Sequence, residues 1–147
     1  MKIALASDLH LEFQDINLKN TEDAEVLILS GDIMVADYMH DHPSPDPYTT
    51  DGMKEYGHKM LMSIRFRDFL KRVSFEFPHV VYVAGNHEFY HGKWKGSLDD
   101  LRFQCGQLPN VYFLENDIKT IGEFTFIGCT LWTDCNKGDP LTLLLCH

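Results

Sequence analysis

The sequence of 147 residues predicts one domain of the α/β class. Short, continuous apolar runs at residues 2–6, 26–30 and 80–84 are typical of strands that are covered on both faces in a parallel or mixed sheet. Between the second and third runs lies a long segment whose apolar residues have helical spacing. A strand–helix–strand unit of this kind crosses over right-handedly, so we expect these two strands to be parallel.

The helix of this unit is predicted over residues 54–77, and it ends at Pro78, which cannot donate the hydrogen bond that a helix interior needs. Apolar residues at spacings of three, four and five indicate one buried face, and basic residues indicate a solvated face. The predicted buried residues are Met60, Leu61, Ile64, Phe69, Leu70 and Val73, and the predicted solvated residues are Arg65, Arg67, Lys71 and Arg72.

Loop and capping signals lie on either side of the third strand. Residues 35–52 contain three closely spaced prolines, which predict a long loop of the kind that often serves binding. Ser97 and Asp100 resemble a capping box, which predicts that a short helix opens there and stops near Gly106.

The last third of the chain is predicted to be rich in β-structure. Residues 111–114, 118–121 and 124–127 are short strand candidates separated by turn signals. Asp139-Pro140 is a favourable helix opening, so a helix is predicted over residues 141–146. So short a helix has little to pack against, and we therefore expect the single domain of residues 1–147 to be truncated at its C-terminus.

Composition excludes several classes of function. The formal net charge of −9, from 22 acidic and 13 basic residues, argues against an extended nucleic-acid-binding surface. No stretch has the length and apolar character of a membrane span, and the apolar run before Asp8 is too short for a signal peptide. We expect a cytoplasmic protein with four reduced cysteines, and the sequence carries no sign of its oligomeric state.

Side chains that bind metals follow each of the three predicted strands. Asp8 and His10 follow the first strand, Asp32 follows the second, and Asn86 and His87 follow the third. Because ligands in open α/β sheets bind outside the carboxyl ends of the strands, three neighbouring strands would bring these groups to one crevice. Each cluster alone is a weak signal, since Gly-Asp is a common turn and Asp-x-His is frequent in loops. Their ordered combination predicts a metal-dependent enzyme.

The clusters Asp8-Leu-His10, Gly31-Asp32 and Gly85-Asn86-His87-Glu88 resemble the first three sequence blocks of the calcineurin-like metallophosphoesterase family, over roughly residues 1–134. This resemblance implies a layered β-sandwich flanked by helices. It also implies hydrolysis of a phosphate ester at a dinuclear metal centre with a bridging hydroxide. Monoester, diester and nucleotide substrates remain open.

The resemblance implies a role for each matching residue. Asp8 and His10 would bind the first metal, Asp32 would bridge both metals, Asn86 would bind the second, and His87 would be the general acid. Mixed nitrogen and oxygen ligands favour manganese, iron, zinc or nickel over magnesium or calcium, and we expect two divalent ions in the complete protein, with manganese first.

Two blocks of the family, a single histidine and Gly-His-x-His, are absent from this chain. The second metal would therefore keep only Asp32 and Asn86, so we expect it to bind poorly and this chain to be weakly active or inactive. An alternative is a degenerate, non-catalytic module that binds metal, phosphate or a partner. Val35 stands where the protein-phosphatase branch has an acidic partner for its catalytic histidine, which argues against that branch.

Five further histidines outside the shared blocks are predicted to be surface or loop residues. They are His40, His42, His58, His79 and His91. His91 follows His87 by four residues, which would place it near enough to the site to touch substrate.

Overall fold

The computed structural model describes residues 1–39, 50–131 and 135–141, and it has a four-stranded parallel sheet at its centre. The strands lie in the order β1 (Ile3–Ala6), β2 (Val26–Ser30), β3 (His79–Val83) and β4 (Val111–Phe113). Two helices accompany the sheet, α1 (Thr50–Glu76) and α2 (Trp94–Gly106), and a short helix α3 (Cys135–Gly138) follows. The predicted α/β class and the parallel pairing of β2 with β3 are both confirmed.

Helices cover one face of the sheet because alternate residues of the strands point to that face. Leu27 and Leu29 of β2 and Val80 and Tyr82 of β3 belong to the main hydrophobic core, together with the buried side of α1. That side is formed by Met62, Phe66, Phe69, Leu70 and Val73. Three to four residues separate most neighbours in this stripe, as helical geometry requires of one face.

The predicted buried face of α1 was correct only in its second half. Met60, Leu61 and Ile64 are 55%, 53% and 46% exposed, because they lie beside the apolar stripe and not within it. Conversely, the predicted solvated residue Arg65 is half-buried and donates from Nη1 to the carbonyl oxygens of Leu11 and Glu12, at 2.7 and 3.3 Å.

A β-hairpin covers part of the opposite face of the sheet. Strands β5 (Asp117–Ile121) and β6 (Phe124–Gly128) pair antiparallel, and Gly122 takes the positive φ of +60° that the tight turn requires. Ile121 packs there with Val26 and Val81 in a second, smaller core. The described residues therefore form three layers, which are helices, parallel sheet and hairpin.

The edge strand β1 departs from the prediction that both of its faces are covered. Ala4 and Ala6 pack against the main core, but Ile3 and Leu5 on the other face are 49% and 71% exposed. The prediction of a strand was therefore correct, and the prediction that both of its faces are buried was wrong. Within the described residues, none of the helices has the length and apolar character that crossing a membrane requires.

Several predicted boundaries were wrong. Helix α2 begins at Trp94 with Lys93 as its N-cap, so Ser97 lies inside the helix with a buried side chain and forms no capping box. Of the predicted loop over 35–52, Ala36–Met39 is a 3₁₀ turn and α1 already begins at Thr50. Residues 40–49 of that loop, and residues 142–146 of the predicted last helix, lie outside the described residues.

A buried carboxylate joins the loops that follow β2 and β3. Glu88 is 0% exposed and accepts five hydrogen bonds. The donors are the backbone N–H groups of Asp32 (3.0 Å), Ile33 (2.7 Å), Met34 (3.4 Å) and Gly85 (2.7 Å) and the hydroxyl of Tyr82 (2.7 Å). Burial raises the pKa of Glu88 above its ordinary value, and these hydrogen bonds act against that rise.

Two glycines allow the same loops to touch. Gly31 has a φ of +82°, and a Cβ on it would lie 2.8 Å from Cα of Gly85. A Cβ on Gly85 would overlap Oδ1 of Asp32 and lie 2.7 Å from the Asp32 nitrogen. Both positions therefore need glycine for space, and Gly31 also needs it for its backbone conformation.

We predict that Gly85→Ala destabilises the protein by roughly 1–3 kcal/mol, because the new methyl group must displace Asp32. Urea unfolding followed by circular dichroism measures this change. Gly96→Ala is the matched control, since Gly96 lies in α2 with open space around its Cβ position, and it should raise stability by up to about 1 kcal/mol. Equal stability of the two variants would contradict the close contact.

We also predict that Glu88→Gln lowers the free energy of unfolding by roughly 1–3 kcal/mol, because the amide nitrogen would face backbone donors that now have an acceptor. The exposed Glu123 provides the control, and Glu123→Gln should stay within about 0.5 kcal/mol of the wild type. A Glu88→Gln protein as stable as that control would show that the five hydrogen bonds do not hold the loops.

Candidate metal centre

The loops after β1 and β2 run side by side beyond the end of the sheet. The backbone N–H groups of Asp8 and His10 donate to the carbonyl oxygens of Gly31 and Asp32, at 3.1 and 3.0 Å. The loop after β3 joins them, because the backbone N–H of His87 donates to Asp32 Oδ1 at 3.0 Å. The three strand-end clusters that the sequence singled out are therefore brought to one edge of the sheet, as predicted.

Three of the candidate ligands have strained backbones. Asp8, His10 and Asp32 have φ values of 54°, 46° and 54°, in the left-handed region that residues with a Cβ seldom adopt. Such conformations cost of order 1–3 kcal/mol each, and they persist where surrounding hydrogen bonds fix them. Their coincidence at one sheet edge supports a functional role for these loops.

A cluster of three side chains in this crevice could hold a metal ion. Potential ligand atoms of His10, Asp32 and His87 all lie within 4.8 Å of one another. Two imidazole nitrogens and a carboxylate oxygen suit a divalent transition metal. All three residues are half-buried, so an ion there would be partly shielded while remaining accessible.

The other two predicted ligands lie in different relations to this cluster. Asp8 is exposed and is not among the three clustered residues, so its place beside His10 on the first metal stays a prediction of the resemblance. The amide of Asn86 lies beside Asp32. In the orientation that satisfies its neighbours, Asn86 Nδ2 donates to both Asp32 carboxylate oxygens, at 3.2 and 3.1 Å, and its oxygen accepts from Tyr90 at 2.8 Å.

Glu12 is a residue of this site that the sequence analysis missed. Its Oε1 lies 2.8 Å from Nδ1 of His87 and 3.3 Å from Nδ1 of His10, and its side chain is only 8% exposed. The two Nδ1 atoms are 3.3 Å apart. Its position two residues after His10 could have signalled it, since the sequence places acid, histidine and acid at every second residue.

One aromatic ring lies beside each of the two clustered histidines. The Tyr90 ring lies 4.4 Å from that of His87, and the exposed Phe13 ring lies 6.0 Å from that of His10. His91 stacks on Tyr38 at 6.3 Å near this end of the fold. His79 lies at the start of β3, at the opposite end of the sheet, and His40 and His42 lie outside the described residues.

Two known proteins are similar to this chain. A curated relative is an uncharacterized protein of Acanthamoeba polyphaga mimivirus, 33% identical over 76 residues that make up 48% of this chain and 27% of the relative. A solved crystal structure matches 90% of this chain and 54% of its own with a TM-score of 0.56, and its 14% sequence identity supports the fold alone. The chain thus spans about a quarter and about half of these proteins.

The sequence profile of one family covers almost all of the chain. The profile described as calcineurin-like phosphoesterase matches residues 1–142, which include every strand-end cluster described above. The roles of single residues remain predictions. The assignment of the chain to the family rests on nearly its whole length and not only on three short sequence blocks. The chain belongs to the calcineurin-like phosphoesterase family.

Proposed function

We propose that this chain carries part of the catalytic centre of a metal-dependent phosphate-ester hydrolase. The observation that supports this proposal best is the cluster of His10, Asp32 and His87, whose ligand atoms lie within 4.8 Å of one another. It lies at the carboxyl ends of parallel strands, which is the usual place for ligands in an α/β sheet. The family acts on phosphate esters, and it typically uses divalent metals.

The side chains fit one cation better than two. His10 and Asp32, with Asp8 by resemblance, would hold the first ion, and Asp32 and Asn86 would hold the second. His87 belongs to the same cluster, but we assign it to proton donation and not to either ion. Two such ions, when bound, would neutralise phosphate oxygens and activate a bridging water as the nucleophile. We propose manganese as the metal to test first. Mixed nitrogen and oxygen donors favour manganese, iron, zinc or nickel over magnesium or calcium, and metal availability rather than affinity usually decides which of these ions is used.

His87 is suited to protonate the leaving oxygen. Its Nδ1 faces Glu12 at 2.8 Å, and its backbone N–H is bound to Asp32, so both the ring and the loop are held. Nε2 is then the ring atom left for proton transfer, and imidazole is the side chain most often used as a general acid or base. The Tyr90 ring beside His87 restricts the ring further.

The shortage of ligands for the second ion supports low activity in the 147-residue chain. Among the described residues only Asp32 and Asn86 are assigned to that ion, and two side chains make a weak site. A non-catalytic module that binds one ion without turnover is the competing proposal, and it rests on the same shortage.

We predict slow, manganese-dependent hydrolysis that depends on His87 according to the leaving group. Phenolate from phenyl phosphate needs a proton to leave, whereas p-nitrophenolate leaves readily without one. His87→Ala should therefore reduce kcat for phenyl phosphate by roughly 10²–10⁴-fold and for p-nitrophenyl phosphate by much less. Steady-state rates with both esters measure the difference.

His79→Ala serves as the control, because His79 lies at the other end of the sheet, and both rates should stay unchanged. Calorimetry with manganese should show one weak site. Bound manganese without turnover of either ester would favour the non-catalytic module, and equal loss of both rates in His87→Ala would argue against a proton-donating role.

A further inference from the structure

We propose that Glu12 is a positioning residue that fixes both clustered histidines in one tautomer through a single carboxylate oxygen. Oε1 of Glu12 is within hydrogen-bonding distance of Nδ1 of His87 at 2.8 Å and of Nδ1 of His10 at 3.3 Å. The roles given to the two rings rest on the proposed function, whereas the hydrogen-bonding arrangement does not.

The proton arrangement follows from the chemistry of the three atoms. An ionised carboxylate can only accept, so each Nδ1 that bonds to Oε1 must carry the hydrogen. The 3.3 Å between the two Nδ1 atoms is then a proximity imposed by their common acceptor, because two N–H groups cannot bond to each other. Both neutral rings would therefore be Nδ1–H tautomers with an unprotonated Nε2.

Glu12 is itself held firmly enough to impose this arrangement. Its side chain is 8% exposed, and its backbone carbonyl accepts from Arg65 at 3.3 Å. The preceding residue, Leu11, is 0% exposed and donates from its backbone to the Ile33 carbonyl at 2.8 Å. The loop is thus attached to both α1 and the segment after β2, which leaves the carboxylate little freedom to follow the rings.

The arrangement makes Nε2 the free nitrogen of each ring, with opposite uses. An unprotonated Nε2 on His10 can donate its lone pair to a metal ion, and a carboxylate behind such a histidine raises its basicity as a ligand. Nε2 of His87 can give a proton to a leaving group only from the doubly protonated ring, and the loss of that proton leaves the Nδ1–H tautomer that Glu12 holds. One carboxylate would therefore couple metal affinity to the orientation of the proton donor.

Long-range ¹H–¹⁵N spectra of the histidine rings in the metal-free protein test the proposal, recorded at a pH at which the spectra themselves show both rings to be neutral. In the wild type we expect His10 and His87 as Nδ1–H tautomers. Glu12→Met removes the acceptor at similar size, and we expect both rings to shift toward the Nε2–H form that free histidine prefers. Glu12→Gln keeps a carbonyl acceptor and should keep both tautomers.

His79 is the internal control, and its signals should be the same in all three proteins because it lies at the far end of the sheet. An Nε2–H tautomer of His87 in the wild type would overturn the proposal, and that result needs no variant to fold. Unchanged tautomers in a folded Glu12→Met protein would overturn it as well.

Calorimetry of zinc binding tests whether Glu12 also affects the metal affinity of the site. Glu12→Met should weaken zinc binding roughly 10–100-fold, and Glu12→Gln should weaken it less. Equal zinc affinity of wild type and Glu12→Met would contradict the coupling. Neither measurement depends on turnover, so a protein that binds metal without turnover but shows these tautomers would count against the catalytic proposal alone and leave this inference standing.

Discussion

The buried carboxylate of Glu88 is the interaction on which the crevice depends. Four backbone N–H groups and the Tyr82 hydroxyl donate hydrogen bonds to this carboxylate instead of to water. The N–H groups lie where the strands have ended, so strand pairing supplies no acceptor for them. Because the backbone donors come from the loops after β2 and β3, one side chain holds Asp32 close to His87. The close contact of Gly31 with Gly85 then follows, since only residues without a side chain fit between loops held this closely.

A second carboxylate, that of Glu12, contacts the imidazole side chains of the crevice, whereas that of Glu88 binds its backbone N–H groups. It comes from the loop after β1 and reaches the histidines of two different loops. Val35, at the position where the protein-phosphatase branch has an acidic partner for its catalytic histidine, is 3% exposed and belongs to the core. The acid beside His87 therefore comes from a different strand end. Three loops thus converge through two acidic residues, neither of which was predicted to be a ligand.

Sequence reasoning predicted the strands and the strand-end clusters because both are local patterns. Apolar runs define β1, β2 and β3, and polar residues directly after them lie at one sheet edge by the geometry of parallel strands. The exposure of Leu5 and the burial of Ser97 could not be predicted this way, because they depend on which element packs above them. The partnership of Glu12 with His87 joins residues 75 positions apart, and no spacing rule reports such a contact.

We propose that the three strand-end loops build a metal site at His10 and Asp32. Anomalous diffraction from crystals of the protein grown with manganese tests it most directly. We expect one dominant anomalous peak within coordination distance of a nitrogen of His10 and a carboxylate oxygen of Asp32, with at most a weaker peak toward Asn86. An empty crevice with manganese bound elsewhere, or no bound manganese at saturating concentration, would contradict it.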